Sequence, residues 1–306
     1  MRITQNMLAN NTIYNLQQSA SQLSKLGDLT ASGQNVNTPS DDPIATRLLV
    51  QIGQQLKSAD QYGSNISKAT TWLNYTGTAL TGMSDIIGQA SKVTGSIING
   101  STDPNIRQSV HDQLVDLKKQ VIDMANTQYG DQYVFAGANN TSAPFSNASN
   151  AYKGDSTQIG VEISQNSTIA LNLTGDRLLL GTGESPDYGS TNILATFDNL
   201  IAAVGDKSNN SNVTAISQGI IDMQSGIKQL NNATSDILSR TARLSNMANL
   251  NDNTKNTLSS IVGKIQNVDY NKLGVELSQQ QTAYNAALAS TAKVQGMSLL
   301  NYISMA

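Results

Sequence analysis

The chain contains no cysteine among its 306 residues. Disulfide bonds, thiolate nucleophiles and zinc sites built on thiolates are therefore excluded. Aromatic residues make up only 5% of the sequence, whereas a compact enzyme of this length normally buries more aromatic area. The shortage of aromatic residues favours long helices with a thin core over a compact catalytic domain.

Charged residues are also scarce, at 13%, and the net charge is −3. A nucleic-acid partner or a charged membrane surface requires a clustered excess of Lys and Arg, so we expect neither. No apolar run approaches the ~20 residues of a membrane span. The start MRITQNMLAN has no apolar core of a signal peptide. We therefore expect no membrane insertion and no export by the signal-peptide route.

The strongest pattern in the sequence is a heptad repeat of apolar and small residues. Two series of positions seven residues apart start at Ala45 and at Leu48 and continue for eight heptads, with Gln55 the clear exception. A 3.5-residue repeat of this length predicts a left-handed coiled-coil-like seam. We expect a helix over 44–98, ~80 Å long, which the turn sequence NGSTDP at 99–104 ends.

Other segments repeat the helical pattern, and one does not. Further amphipathic helices are predicted over these stretches: 4–30, 110–124, 216–244, 258–268 and 271–304. The alternating apolar residues of TQIGVEIS and STIALNLTGD instead predict short strands. We therefore expect a mainly α fold, in which the N- and C-terminal halves build a long antiparallel coiled-coil-like helical rod with a small β-rich inserted domain.

The expected domain boundaries follow from this change of pattern. The terminal helices are expected at 1–34 and 270–306. The rod is expected at 35–139 and 191–269, and the β-rich insertion at 140–190.

The segment SGQNVNTPSDDP at 32–43 carries two adjacent carboxylates, Asp41 and Asp42. Neighbouring side chains do not face each other, and the ligand spacing of an EF-hand is absent. Gly33 suits the left-handed end of a helix, while Asp42 can accept the first free amides of the next helix and Pro43 suits its first position. The pattern favours a structural loop with helix caps at these four residues. A catalytic or metal-binding role for the two acids is the less favoured alternative.

His111 is the only histidine, and it lies beside the apolar stripe of SVHDQLVDLKKQ rather than within it. A surface or boundary position is the simpler interpretation, although an enzyme or metal site using His111 stays a formal alternative. No Ser-His-Asp arrangement can be argued from one chain rich in Ser and Asp, and the GxGxxG, Walker and HExxH patterns are absent. We predict no enzymatic activity, no cofactor and no metal.

The two terminal helices contain few charges and many Gln, Ser, Asn and Ala residues. Such faces can pack against copies of themselves without burying unpaired ions, and head-to-tail contacts then generate rings or helical arrays. The candidate subunit-interaction residues are the apolar positions of these helices: Ile3, Met7, Leu8, Ile13, Leu16, Leu23, Leu273, Leu277, Tyr284, Leu288, Val294, Leu299 and Leu300.

Six segments in order carry a resemblance that spans almost the whole chain. They are MRITQNML, SGQNVNTPSDDPIATRLL (32–49), ANTQYGDQYVFAGANNTSAPF (125–145), YKGD (152–155), DILSRTARLSNM (236–247) and VDYNKLGVELSQQQTAYNAALASTAKVQGMSLLNY (268–302). In this order they resemble the hook-associated protein 3 family, flagellin relatives that form the junction between bacterial flagellar hook and filament. One departure is Asn267, where some relatives have an acidic residue.

The resemblance implies a structural protein of the extracellular flagellum, exported unfolded through the flagellar type III apparatus with the help of an export chaperone that binds near the C-terminus. It implies terminal helices that are disordered in the free monomer and pair into an inner coiled-coil layer on self-association. The implied neighbours are the other hook-associated junction protein and flagellin. Flagellin itself is the alternative, but YVFAG…PF followed by YKGD, and the short insertion, favour the junction protein.

The capping and catalytic hypotheses for Asp42 differ in what they predict for Asp42→Asn. Because asparagine also caps helices well, capping predicts a loss of about 1 kcal/mol or less in the free energy of unfolding. A catalytic or metal-binding role predicts the loss of a reaction with unchanged stability. Denaturant unfolding of the two chains measures the difference.

Overall fold

The computed structural model describes residues 5–98, 103–146, 149–182, 187–205 and 212–303. Within these ranges the α-helices are α1 Gln5–Ser32, α2 Pro43–Ile98, α3 Pro104–Ala125, α4 Ile193–Gly205, α5 Asn212–Gln266 and α6 Tyr270–Ile303. The strands are β1 Gln128–Tyr129, β2 Gln132–Tyr133, β3 Gly160–Ser164 and β4 Ser167–Ala170. A π-helical turn, Asp176–Leu180, precedes α4.

Helices make up 74% of the residues that the structure describes, so the predicted mainly α fold with a small β-containing insertion is confirmed. The helix expected over 44–98 runs from Pro43 to Ile98. The heptad stretches predicted over 216–244 and from 258 onward lie in one continuous helix, α5, which ends at Gln266. A weakened heptad pattern therefore did not end the helix, because helical hydrogen bonds need no apolar face to continue.

The chain divides into two compact units. Unit 1 comprises residues 1–58 and 254–306, and unit 2 comprises residues 59–253. Helices α1 and α6 belong to unit 1, whereas α3, α4 and both hairpins belong to unit 2. Helices α2 and α5 contribute residues to both units.

Unit 2 is built around one hydrophobic cluster, to which α2 and α5 contribute together with α3, α4 and the segment between them. In the α2 series that starts at Ala45, every position from Ala59 to Thr94 is buried. On α5, every seventh residue from Ile216 to Leu244 is buried as well. The buried hydroxyl of Thr94 donates to a carbonyl of its own helix at 2.7 Å. That bond explains how a polar residue is accommodated in an apolar seam.

Helix α3 adds its apolar face to the same cluster. Val110, Leu114, Leu117 and Val121 are buried, as their spacing predicts. Met124, which the sequence places on that face, is 39% exposed instead. The last turn of α3 buries Ile122 and Ala125 in its place, because the buried face of a helix drifts steadily around its axis relative to a strict heptad.

The predicted strands form one antiparallel hairpin, β3–β4, in which Val161 pairs with Ile169. Asn166 takes a left-handed conformation in the turn, with φ of 69°, as asparagine does more readily than most residues. A second hairpin, β1–β2, was not predicted, because two-residue strands show no alternation. Gly130, with φ of 61°, lies in its turn.

The segment between α3 and α4 shares the hydrophobic cluster with the helices of unit 2. Phe135, Phe145, Ile163 and Leu178 are each about 1% exposed and belong to that cluster. The small β-containing segment is thus packed onto the helices through its own largest apolar side chains.

Gln229 is a buried polar side chain of α5 that anchors this segment. Its side-chain NH₂ group donates to the carbonyls of Leu178 at 2.9 Å and Thr191 at 3.1 Å. Its side-chain oxygen accepts from the amide of Thr191 at 2.9 Å. The residue is only 1% exposed, so the main-chain groups it satisfies have little access to water.

The motif DILSRTARLSNM supplies a second anchor on α5. The guanidinium of Arg240 donates to the carbonyl of Ala170 at 2.8 Å and to the carboxylate of Asp236 at 2.7 Å. The hydroxyl of Tyr188 donates to the same carboxylate at 2.5 Å. Burial and this hydrogen bond raise the pKa of Tyr188, so the phenol remains a donor. The motif therefore ties β4 and the approach to α4 onto α5.

Unit 1 has a much thinner core than unit 2. Among the side chains that the structure describes, the only buried hydrophobic ones in unit 1 are Ile52 and Leu273. All members of the main hydrophobic cluster lie in unit 2. Since burial of apolar surface is the main favourable term in folding, unit 2 has its own source of stability and unit 1 has little.

Substituting Gln229 by leucine is expected to destabilise unit 2. Gln229→Leu removes the partner of the buried carbonyl of Leu178 and of the part-buried carbonyl and amide of Thr191, which we expect to lower the free energy of unfolding by about 3 kcal/mol. Gln224→Leu on the exposed face of the same helix is the matched control, with an expected change within about 0.5 kcal/mol. Denaturant unfolding monitored by the fluorescence of Trp72, which lies in unit 2, measures both. Equal stability of the two variants would contradict the anchoring role.

Candidate assembly surfaces

The connection between α1 and α2 pairs with the connection between α5 and α6. We call the paired segments, residues 33–35 and 266–268, the clasp. The amide of Asn35 donates to the carbonyl of Gln266 at 2.6 Å, and the amide of Val268 donates to the carbonyl of Gly33 at 3.2 Å. The end of α1 is therefore held beside the start of α6.

Gly33 occupies the one position of the clasp where a side chain would not fit. Its φ of 67° is left-handed, and its amide donates to the carbonyl of Leu29 at 2.9 Å. A Cβ atom at this position would lie 2.5 Å from the hydroxyl oxygen of Tyr270. The left-handed backbone therefore favours glycine, and any other residue would also displace the exposed ring of Tyr270.

Asp42 stands immediately before α2. One of its carboxylate oxygens accepts from the amides of Ile44 and Ala45, both at 2.9 Å. The helix starts at Pro43, whose missing amide would have no intrahelical partner in any case. This arrangement is that of a helix N-cap.

Asp41 organises the loop rather than the helix. Its carboxylate accepts from the amide of Thr38 at 2.9 Å, from the hydroxyl of Thr38 at 3.0 Å and from the amide of Asn37 at 3.3 Å. The bonds from Thr38, together with Lys25 at 3.4 Å, hold the pKa of Asp41 below its usual value. The loop therefore gains stability from this carboxylate above its unfolded-state pKa and loses it as the pH falls through the lowered pKa.

Asp269 stands in the same relation to α6 as Asp42 does to α2. Its carboxylate accepts from the amides of Asn271 at 2.9 Å and Lys272 at 3.2 Å. Sequence reasoning used Val268–Asp269 only for a resemblance and missed this cap. The signal was present, since an aspartate directly before an amphipathic segment is a common helix start.

Helices α1 and α6 pack against each other in antiparallel fashion, because the clasp joins the end of one to the start of the other and Ser19 contacts Gln280 further along. Less exposed positions recur on each helix at steps of three and four residues. We call this set the terminal seam: Thr12, Leu16, Ser19, Leu23 and Leu26 on α1, and Leu273, Leu277, Gln280, Tyr284, Ala287 and Thr291 on α6.

The candidate subunit-interaction residues divide into three groups. Those in the terminal seam are Leu16, Leu23, Leu273, Leu277 and Tyr284. Those that are exposed are Met7, Ile13 and Leu288, by 61%, 37% and 49%. Ile3 lies outside the described residues, as do the side chains of Leu8, Val294, Leu299 and Leu300.

Unit 1 also exposes large apolar side chains that were not among those candidates. They are Tyr14, Ile44, Leu48, Val50, Ile261, Tyr270 and Val275. No charged residue occurs over 5–24 of α1 or over 277–292 of α6. Unit 1 therefore combines a thin core, exposed apolar side chains and long uncharged helix faces.

In unit 2, the motifs FAG and YKGD contact each other. The carboxylate of Asp155 accepts from the amides of Ala138 at 2.8 Å and Thr157 at 3.0 Å. Burial alone would raise the pKa of Asp155, but the hydrogen bonds that these main-chain amides donate lower it. Gly137 has φ of 78° and passes so close to Asp155 that a Cβ atom would not fit. The hydroxyl of Tyr152 lies 2.8 Å from the Asp155 carbonyl.

The residues considered for catalysis lie in separate units. Asp41 and Asp42 belong to unit 1, whereas His111 belongs to unit 2, with its Nδ1 3.0 Å from a carboxylate oxygen of Asp112. Within the described ranges, no three His, Asp or Glu side chains form a group that could hold a metal ion. No described helix combines the length and apolarity needed to cross a bilayer.

Comparison with known proteins bears on these surfaces directly. Residues 3–140 match the family model of the bacterial flagellin N-terminal helical region, and residues 219–303 match that of the C-terminal helical region. Proteins named flagellar hook-associated protein 3 from Salmonella typhimurium and Escherichia coli are 24% and 26% identical to this chain, over 98% of it and 98% of their own length. The chain belongs to the flagellin superfamily, and over nearly its whole length it is similar to hook-associated protein 3. The predicted resemblance is confirmed.

Solved structures share the fold of this family member. A protein of Vibrio parahaemolyticus described as a flagellar hook-associated protein matches 74% of this chain and 100% of its own, with a TM-score of 0.64 and 24% identity. FlgL of Bacillus cereus matches 68% of this chain and 97% of its own, with a TM-score of 0.56 and 17% identity. The relatives of the family are structural proteins of the flagellum.

Two glycine substitutions in unit 1 are expected to have opposite effects. Gly33→Ala should destabilise the clasp by about 1–2 kcal/mol from the left-handed backbone alone, with the clash against Tyr270 in addition. Gly27→Ala is the control, because open space surrounds Gly27 within α1 and alanine favours the helix by up to about 1 kcal/mol.

Hydrogen exchange at the amides of Asn35 and Val268 reports on the clasp. We expect faster exchange in Gly33→Ala and no acceleration in Gly27→Ala. Tyr270→Phe removes the hydroxyl, so it should restore part of the protection lost in Gly33→Ala. Unchanged exchange in Gly33→Ala would contradict the steric argument.

Proposed function

We propose that this chain is a structural subunit of the bacterial flagellum that polymerises at the junction between hook and filament. The family relationship supports this function, and the structural observation that carries it is the unequal burial in the two units. Unit 2 has a hydrophobic cluster of its own, whereas unit 1 buries only Ile52 and Leu273 among its described hydrophobic residues. A subunit of this kind completes the burial of unit 1 against other subunits.

The uncharged faces of α1 and α6 suit this assembly. Contacts over 5–24 and 277–292 would bury no ion, so they avoid the desolvation penalty that charged groups carry. Head-to-tail repetition of such a contact gives a ring or helical array. In this proposal the terminal helices, 1–34 and 270–306, form an inner layer that orders on assembly. The helices of 35–139 and 191–269 form an outer layer, with 140–190 exposed.

The proposed partners follow from the position at the junction. Copies of the chain contact one another, the other hook-associated junction protein lies on the hook side, and flagellin lies on the filament side. Before assembly the apolar side chains of unit 1, such as Val275 and Leu288, are exposed. An export chaperone that covers the C-terminal helix would prevent premature association during secretion through the flagellar type III apparatus.

The mechanism in this proposal is mechanical. Subunit interfaces join a curved hook to a stiffer filament, and no substrate is turned over. A filament subunit is the second candidate, because both matching family models describe flagellin regions. The two functions differ in the length of the polymer. Purified flagellin extends long filaments from seeds, whereas a junction protein adds only a short zone to hooks.

Removing the chain from the bacterium that makes it tests the proposal. We expect complete hooks without filaments and flagellin lost to the medium, with filaments restored by the full chain. A chain lacking 271–306 should not enter flagella, because the inner layer loses half of its helix pair. The fluorescence of Trp72, which is 3% exposed in unit 2, should show that unit 2 stays folded. Normal filaments without the chain, or the truncated chain in flagella, would refute the proposal.

A further inference from the structure

Gln280 is the only residue of the α6 side of the terminal seam, as defined above, that carries a side-chain amide. Its Nε2 atom lies 3.1 Å from the carbonyl oxygen of Ser19 and 2.9 Å from the hydroxyl oxygen of Ser19. It also lies 3.1 Å from the side-chain oxygen of Gln22. One part-buried amide thus meets three acceptors on the facing helix.

The rest of the terminal seam does not distinguish one alignment from another. On α1, Leu16 and Leu23 are seven residues apart, and on α6 so are Leu277 and Tyr284. A slip of one heptad, ~10 Å along the helix axis, would therefore still place large apolar side chains against each other. Apolar contacts are non-directional, so they set no unique alignment.

The clasp limits such a slip only at one end. It holds α1 to α6 by two main-chain hydrogen bonds, at 33–35 and 266–268. The connection from Gly33 to Asp42 has enough residues to extend by several times 10 Å, since each extended residue spans ~3.3 Å. Loss of two exposed bonds would release α1 to slide along α6.

We infer that Gln280 opposes the slip of α1 that would bring Leu26 against it. After that slip of one heptad Gln280 faces Leu26 and Leu29, so its amide keeps a main-chain carbonyl but loses both side-chain acceptors, which is unfavourable for a part-buried group. After a slip in the other direction it faces Thr12 and Asn15, whose side-chain oxygens take the positions of Ser19 and Gln22, so Gln280 does not oppose that slip. A polar residue in a helix seam specifies alignment in this way in coiled coils.

The consequence in the flagellum rests on the proposed function. Subunits that pair their terminal helices in one register present the same inner surface to every neighbour. Subunits with mixed registers would differ by ~10 Å in the position of α1, so they could not repeat one contact around a helical array.

Pairs of introduced cysteines can measure the register, because the chain has no cysteine of its own. Leu23→Cys with Leu277→Cys reports the observed register. Leu16→Cys with Leu277→Cys, and Leu23→Cys with Tyr284→Cys, report a slip in either direction. A disulfide requires Cα atoms within ~7 Å, so each pair forms its bond in only one register. Full-length chains are oxidised in sheared flagella and, after purification, at a concentration at which contacts between copies order the terminal helices. The disulfide fraction is measured by gel mobility.

With Gln280 present, we expect the first pair to form about ten times more disulfide than the Leu23–Tyr284 pair, which reports the slip toward Leu26. Gln280→Leu should raise the disulfide of the Leu23–Tyr284 pair to within about threefold of the first pair, since leucine has no preference among the alignments. The Leu16–Leu277 pair is the internal control, because Gln280 does not oppose the slip that it reports. Gln281→Leu, the same change at the exposed neighbouring residue, should leave the ratio as it is.

Two results would overturn the inference. One is an unchanged disulfide ratio in Gln280→Leu, which would show that the clasp alone sets the register. The other is equal cross-linking of the Leu23–Leu277 and Leu23–Tyr284 pairs in the chain with Gln280. A separate result tests the proposed function, namely whether the chain with Gln280 is found in flagella at all. A chain absent from flagella would refute that function, while purified chains with ordered terminal helices would still report the register.

Discussion

The seven-residue spacing of apolar side chains on α2 and α5 is the constraint on which the rest of the fold depends. In unit 2 the apolar side chains of α2 and α5 pack against α3, α4 and the segment between them. Phe135, Phe145 and Phe197 from those elements belong to the same hydrophobic cluster. The two helices approach so closely that a Cβ atom on Gly77 would lie 3.6 Å from Ile237. In unit 1, among the residues that the structure describes, no comparable set of elements covers the same two helices, so Leu48 and Ile261 stay exposed.

The arrangement of unit 1 depends on main-chain groups and polar caps instead of a core. The clasp joins two connections through backbone bonds, and Asp42 and Asp269 each start a helix by accepting two amides. Interactions of this kind fix directions well but contribute little net free energy, since water competes for every exposed donor and acceptor. The geometry of unit 1 is therefore well defined, but its stability is low. That combination suits a part that becomes stable through contacts between subunits.

Much of this could be predicted from the sequence, for identifiable reasons. Heptad spacing predicted α2 almost to the residue, and the order of Gly33, Asp42 and Pro43 predicted where one helix ends and the next begins. What could not be predicted depended on distant pairing. Asp41 looked like half of an acidic pair, yet it binds Thr38 and Lys25. Gln229 gave no signal, because its role depends on Leu178 and Thr191, which lie far away in sequence. The hairpin β1–β2 is too short to show alternation.

The scarcity of charge now has a physical meaning that composition alone did not give. Long helices usually select their alignment through ion pairs along the edges of the seam, but α1 has no charge over 5–24 and α6 has none over 277–292. Such helices avoid burying ions against neighbouring subunits, and they lose the usual means of specifying one alignment. Hydrogen bonds must then supply the specificity. The side-chain amide of Gln280, placed against Ser19 and Gln22, meets that requirement without adding a charge that assembly would have to desolvate.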